Sequence, residues 1–139
     1  MPLHLISDEQ LTLQTIATFL SGGVSVALSE SSSRQISRCR AYLDEKLKTS
    51  TQPIYGINTG FGSLYNRNIS SHQLETLQEN LVKSHACGTG PEVPNDIVRL
   101  MLFLKIQSLA YGYSGVQLVT VQRLAEMLNH DVLPRVFEM

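Results

Sequence analysis

Two short stretches hold the residues best suited to chemistry. The first is Tyr55-Gly56-Ile57-Asn58-Thr59-Gly60-Phe61-Gly62, with three glycines in seven residues. Glycines at that density let backbone approach a ligand closely or take positive φ. The order is neither GxGxxG after a strand nor GxxxxGK followed by Ser or Thr, so a phosphate cradle is not indicated. Two readings stand: a loop that closes on a ligand, or a plain glycine-rich turn in which Tyr55 and Phe61 pack. The second stretch is Asn80-Leu81-Val82-Lys83-Ser84-His85-Ala86-Cys87-Gly88, running off the end of a helix. His85 and Cys87 are spaced H-x-C, which is not zinc spacing, so no metal is expected. A lone histidine there also suits the terminal carbonyls of its own helix. His4, His72 and His130 have no supporting neighbours and are expected in solvent or capping roles. No Ser-His-Asp order and no pair of carboxylates stands out.

The elements that must position these stretches are helical. Ser7 with Gln10 resembles a capping box for a first helix carrying Leu11, Ile16, Phe19 and Leu20, which Gly22-Gly23 ends. Val24, Val26 and Leu28 alternate with Ser25 and Ala27, a short strand or extended piece. The serines at 29 and 31–33 offer N-caps to a second helix, whose stripe is Ile36, Cys39, Leu43 and Leu47. Periodicity vanishes from Gln52 to Asn68, an irregular loop. Ser70 and Gln73 restart a helix through Leu74, Leu77, Leu81 and Val82 that stops at Gly88. After a second loop, Asn95 and Asp96 cap the longest apolar helix, which is apolar on nearly all faces from Ile97 to Leu109. A helix apolar all round must be surrounded by protein, from chain outside this sequence or from other subunits. A last amphipathic helix carries Val116, Val119, Leu124, Ala125 and Leu128 and closes near Pro134.

Composition narrows the function classes. The 139 residues suit one domain, and 42% hydrophobic content argues against disorder. A net charge of −1 without a basic run removes the electrostatic footprint of a nucleic-acid binder. Cys39 and Cys87 make no disulfide framework. The start lacks the basic end and apolar core of a signal peptide. The most apolar stretch, Ile97 to Tyr111, is interrupted by Arg99, Lys105 and Gln107, too polar to span a bilayer. A soluble, cytoplasmic protein without nucleic-acid or membrane partners is expected.

Taken in order, the two stretches resemble the histidine/phenylalanine ammonia-lyase family. Tyr55 to Gly62 is followed by Asn80-Leu81-Val82, Ser84-His85-Ala86 and Gly88. Arg99-Leu100, Leu104-Lys105-Ile106 and Gly112-Tyr113-Ser114-Gly115-Val116 continue the agreement, which runs from about Ile54 to the end; the first fifty residues match in pattern only. The resemblance implies an all-α enzyme that is a homotetramer, with active sites drawn from more than one subunit. It implies no external cofactor, because an internal Ala-Ser-Gly cyclises to a methylidene-imidazolone electrophile. Family members carry that triplet directly after a stretch resembling Leu133–Met139. This sequence contains no Ala-Ser-Gly. The resemblance therefore makes residues 1–139 a single N-terminal helical segment of a larger lyase, with the electrophile formed beyond Met139 and the isolated chain inactive.

The same resemblance assigns roles. Tyr55 matches the base that removes the β-proton, and a phenol of pKa about 10 needs tuning by some three units, roughly 4 kcal/mol, to do so at neutral pH. His85, with Ser84, matches the pair that faces the substrate ring, and imidazole suits imidazole near neutral pH. Asn58 is implied as a substrate contact, and Gly56, Gly60, Phe61 and Gly62 as the active-site loop. Phenylalanine-type lyases tend to carry Phe-Leu where this chain has Ser-His. L-histidine is thus the implied substrate, giving urocanate and ammonia. The alternatives are a tyrosine or phenylalanine ammonia-lyase, an aminomutase, and a non-catalytic helical binding or assembly module.

Overall fold

Apolar spacing becomes five helices and one small sheet in a computed structural model that describes residues 2–49, 52–62, 69–70 and 73–139. In chain order these are β1 (Leu3–Ile6), α1 (Leu13–Leu20), β2 (Ser25–Leu28), α2 (Glu30–Thr49), α3 (Leu74–His85), α4 (Asn95–Ala110) and α5 (Leu118–Asn129). The all-helical expectation holds for the bulk, with one addition. β1 and β2 pair in parallel with Leu3 opposite Ser25 and Ile6 opposite Leu28, α1 forming the crossover. No helix among the described residues is long and apolar enough to cross a membrane.

The core forms around α4. Phe103 and Ile106 are fully buried, and Phe19 of α1 stacks on Phe103 with centroids 4.2 Å apart. Ile6, Val26, Ile36, Val121 and Leu128 bring β1, β2, α2 and α5 to the same cluster. Its one strongly polar member on α4, Gln107, donates to the Ser7 carbonyl at 2.7 Å and so ends β1 without an unpaired group. The outward stripe of α4, with Ile97, Met101 and Leu104, is exposed. Enclosure on all sides, expected from the sequence, is therefore not completed by the described residues.

A two-stranded parallel sheet leaves backbone groups pointing away from the partner strand. Val26 solves this with Asn129 at the end of α5. Asn129 Oδ1 accepts from Val26 N–H at 2.8 Å, and its Nδ2 donates to Val26 C=O at 2.9 Å. A side-chain amide here replaces a third strand.

Several helix ends differ from expectation. The Ser7 box does not form, since Ser7 Oγ accepts from Glu9 N–H and the cap of α1 is Thr12, which accepts from Thr15 N–H. β1 occupies residues 3–6, and the chain needs several more residues to turn back. Ser29 caps α2 as foreseen, accepting from Ser32 N–H at 3.1 Å. The N-cap of α4 is Pro94, while Asp96 Oδ1 accepts from its neighbour Ile97 N–H. α3 ends at His85, before Gly88. α5 stops well short of Pro134 because Asp131 adopts φ 56°, and Val132 N–H closes back on Met127 C=O at 2.8 Å. That is a Schellman termination with aspartate where glycine is usual.

Gly112, in the turn between α4 and α5, has φ 70°, and a Cβ there would lie 2.9 Å from the Gln35 backbone carbon of α2. Gly112→Ala is expected to destabilise by about 1–3 kcal/mol from the left-handed backbone and the overlap together. Asn129→Leu should cost about 1–3 kcal/mol by stranding both Val26 groups. Thermal melting checks both, and an unchanged midpoint for either variant would refute its local account.

Candidate functional site

The first stretch forms a tight turn held by its own side chains. Asn58 Oδ1 accepts from Ile54 N–H at 2.7 Å, and Asn58 Nδ2 donates to Gln52 C=O at 3.2 Å. Thr59 is fully buried; its Oγ1 accepts from Gly56 N–H at 3.3 Å and donates to Gly60 C=O at 3.0 Å. Gly56 and Gly62 take φ of 75° and 56°. The Asn58 amide is thus committed to the loop. Thr59 is the buried polar anchor that the sequence did not single out, although a threonine between glycines was the available signal. Tyr55 projects outward with 64% of its surface exposed, its ring 6.2 Å and edge-on from Phe61. Gly56 and Ile57 border a groove with Arg40 and Leu43 of α2 and Glu75 and Gln78 of α3. The remainder of the expected irregular loop, 63–68, and His72 lie outside the described residues.

The second stretch leaves α3 with a defined imidazole. His85 Nδ1 lies 2.9 Å from Leu81 C=O and 3.0 Å from Ser84 Oγ, and Ser84 Oγ donates to Leu81 C=O. A carbonyl only accepts, so Nδ1 carries the proton and Nε2 of the neutral ring is left as an acceptor. His130 caps α5 in the same manner, through Glu126 C=O. His4 departs from its expected solvent role: it is half-buried, with its ring 5.6 Å from Phe103.

His85 borders a groove of about 460 Å³ whose opposite wall is the tail, with Arg135, Phe137 and Met139. The tail runs antiparallel to residues 88–93. Thr89 and Met139 exchange backbone bonds at 2.6 and 3.1 Å, Glu138 N–H reaches Pro91 C=O, and Val93 N–H reaches Val136 C=O. Phe137 packs where Gly88 has no side chain; a Cβ at Gly88 would lie 2.6 Å from its ring. Arg135 closes the ribbon with two bonds to the Glu92 carboxylate at 3.1 and 2.9 Å. Among the described residues no hydrogen bond or ring contact joins Tyr55 to Ser84 or His85, and no His, Cys, Asp and Glu cluster could hold a metal.

The hydrogen bonds from Arg135 hold the Glu92 carboxyl below its ordinary value of 4.5. The folded value is the lower one, so the unfolded chain binds more protons in the window just beneath 4.5. The contribution of the pair is complete above that window and is lost as pH falls through it. The protection of the Thr89 and Glu138 amides, taken relative to the intrinsic exchange rate at each pH, should therefore fall on acidification, and Glu92→Gln should flatten that response. An identical acid response in the variant would show that another group governs the ribbon.

The model of the aromatic amino acid lyase family matches residues 11–139. The histidine ammonia-lyase of Legionella pneumophila (strain Lens) is 45% identical over 134 residues, covering 94% of this chain and 26% of that relative. Among solved structures, the tyrosine aminomutase of Streptomyces globisporus superposes with a TM-score of 0.90 at 27% identity, over 100% of this chain and 26% of its own. Histidine ammonia-lyase from Trypanosoma cruzi gives a TM-score of 0.78 at 33% identity, over 93% and 25%. The chain spans about a quarter of the length of these proteins. With the match running through the Tyr55 turn, the end of α3, the α4–α5 turn and the tail, the chain belongs to the aromatic amino acid lyase family.

Proposed function

We propose that this chain forms the N-terminal part of a histidine ammonia-lyase, a cytoplasmic homotetramer that eliminates ammonia from L-histidine to give urocanate. The observation that carries the reading is Ser84-His85 at the end of α3, with Nδ1 turned onto Leu81 C=O, Nε2 without a partner among the described residues, and the ring beside the groove that the tail also lines. Nε2 is suited to accept from the N–H of a substrate imidazole. The Legionella pneumophila relative, a histidine ammonia-lyase, supports this choice of ring. In the elimination, the β-carbon gives its proton to Tyr55. The electrons of that C–H bond become the new Cα=Cβ bond, and the Cα–N electrons leave with ammonia. Tyr55 is exposed in this chain, so the reading requires that the rest of the enzyme or a partner subunit cover it. Asn58, bonded to Ile54 and Gln52, holds the turn that carries Tyr55.

The family's methylidene-imidazolone group supplies the electrophilic carbon that activates the amino acid for loss of ammonia. These 139 residues contain no Ala-Ser-Gly and cannot form it. Under this reading it comes from chain following Met139, which borders the His85 groove.

The test uses the full-length protein. Tyr55→Phe should lower kcat/KM on histidine by ~10²–10⁴ with normal melting, as loss of a general base does. His85→Leu should lower histidine turnover while letting bulkier apolar rings react. The 1–139 chain alone should produce no urocanate. Near-normal turnover by Tyr55→Phe would remove that residue from the mechanism. Turnover of tyrosine alone, or a β-amino acid product, would keep the family and replace the substrate or the outcome.

A further inference from the structure

We propose that Glu92 and Arg135 are positioning residues, a latch that holds the tail on residues 88–93 and so fixes the wall of the groove opposite His85. The contacts form one continuous chain. Glu92 takes both bonds from Arg135, the Arg135 guanidinium lies 5.3 Å from the Phe137 ring centre, and Phe137 sits on Gly88. Gly88 follows Ala86 and Cys87 out of α3, so the wall and the imidazole are tied through a few residues. The two charges are 43 residues apart in sequence, and the pair bridges the entry to α4 and the start of the tail.

Exposure separates positioning from stability. The Arg135 and Glu92 side chains are 72% and 43% exposed, and ion pairs so exposed contribute little to folding. The α4 core lies elsewhere and does not use them. Breaking the latch therefore loosens the groove wall without unfolding the protein. The latch itself stands on the geometry; its consequence for turnover rests on the lyase reading above.

The experiment compares full-length wild type with Glu92→Ala, Arg135→Ala and the charge-swapped double variant Glu92→Arg/Arg135→Glu. Hydrogen–deuterium exchange of peptides covering 88–93 and 136–139 should quicken in both single variants and return toward wild type in the swap. Melting should be nearly unchanged in all of them. On histidine, kcat should fall roughly 10- to 100-fold in the single variants, the scale of a small misplacement, with KM little altered and kcat regained in the swap. Single variants with wild-type exchange, or with faster exchange and wild-type kcat, would overturn the proposal. If wild type does not turn over histidine, the lyase reading fails and the latch is judged by exchange and by the His85 ring nitrogen signals. Those signals should move in the single variants and return in the swap; signals that stay put would overturn it.

Discussion

Enclosing α4 is the constraint from which the rest of the structure follows. Its sixteen residues are apolar on too many sides for a surface helix, and fully burying one large side chain is worth about 1.5–3 kcal/mol. Phe103, Ile106 and their neighbours therefore outweigh any exposed ion pair, at most about 1 kcal/mol each. β1, β2, α1, α2 and α5 each bring a residue to that face. Fixing α4 also fixes both of its ends. Its start at Asn95 sets where residues 88–93 run, and its end at Ala110 sets the Gly112 turn against α2. The candidate site inherits its geometry from the core.

Periodicity revealed the helices because a 3.6-residue repeat is local. The α2 stripe is an example: Ile36 is buried in the core, and Cys39, Leu43 and Leu47 are half-buried. The ends were less legible because they depend on competition between local and distant partners. Ser7 has the chemistry of a cap, but β1 fixes the chain just before it. Asp131 stops α5 in a conformation usually given to glycine, and an aspartate there carries little warning. The Asn129 side chain serving as a substitute strand depends on Val26, 103 residues earlier. Patterns within a window cannot report such a pairing.

The same division runs through the site. Tyr55 to Gly62 and Ser84-His85 were legible because chemistry-bearing residues stand in a characteristic order. What orders them in space was not. Thr59 pins the turn from inside, and its role depends on complete burial, which no spacing displays. Glu92 and Arg135 read as ordinary surface charges until the tail returns to meet residues 88–93. Gly88 reads as a helix stop, yet it also leaves the space that Phe137 fills.

The two stretches require different things of the protein that surrounds them. An imidazole whose Nδ1 lies against the Leu81 carbonyl and the Ser84 hydroxyl is already oriented by its own helix. Little further machinery is needed for it to recognise a ring. A phenol acting as a base is more demanding, since its charged form must be favoured and water kept away while the proton moves. Tyr55 stands exposed on a turn whose hydrogen bonds hold backbone rather than hydroxyl. Under the proposed lyase reading, this chain thus prepares ring recognition locally and proton abstraction only in part. The exposed stripe of Ile97, Met101 and Leu104 leaves α4 unfinished in the same way, so the apolar face and the base are both left to protein outside these residues.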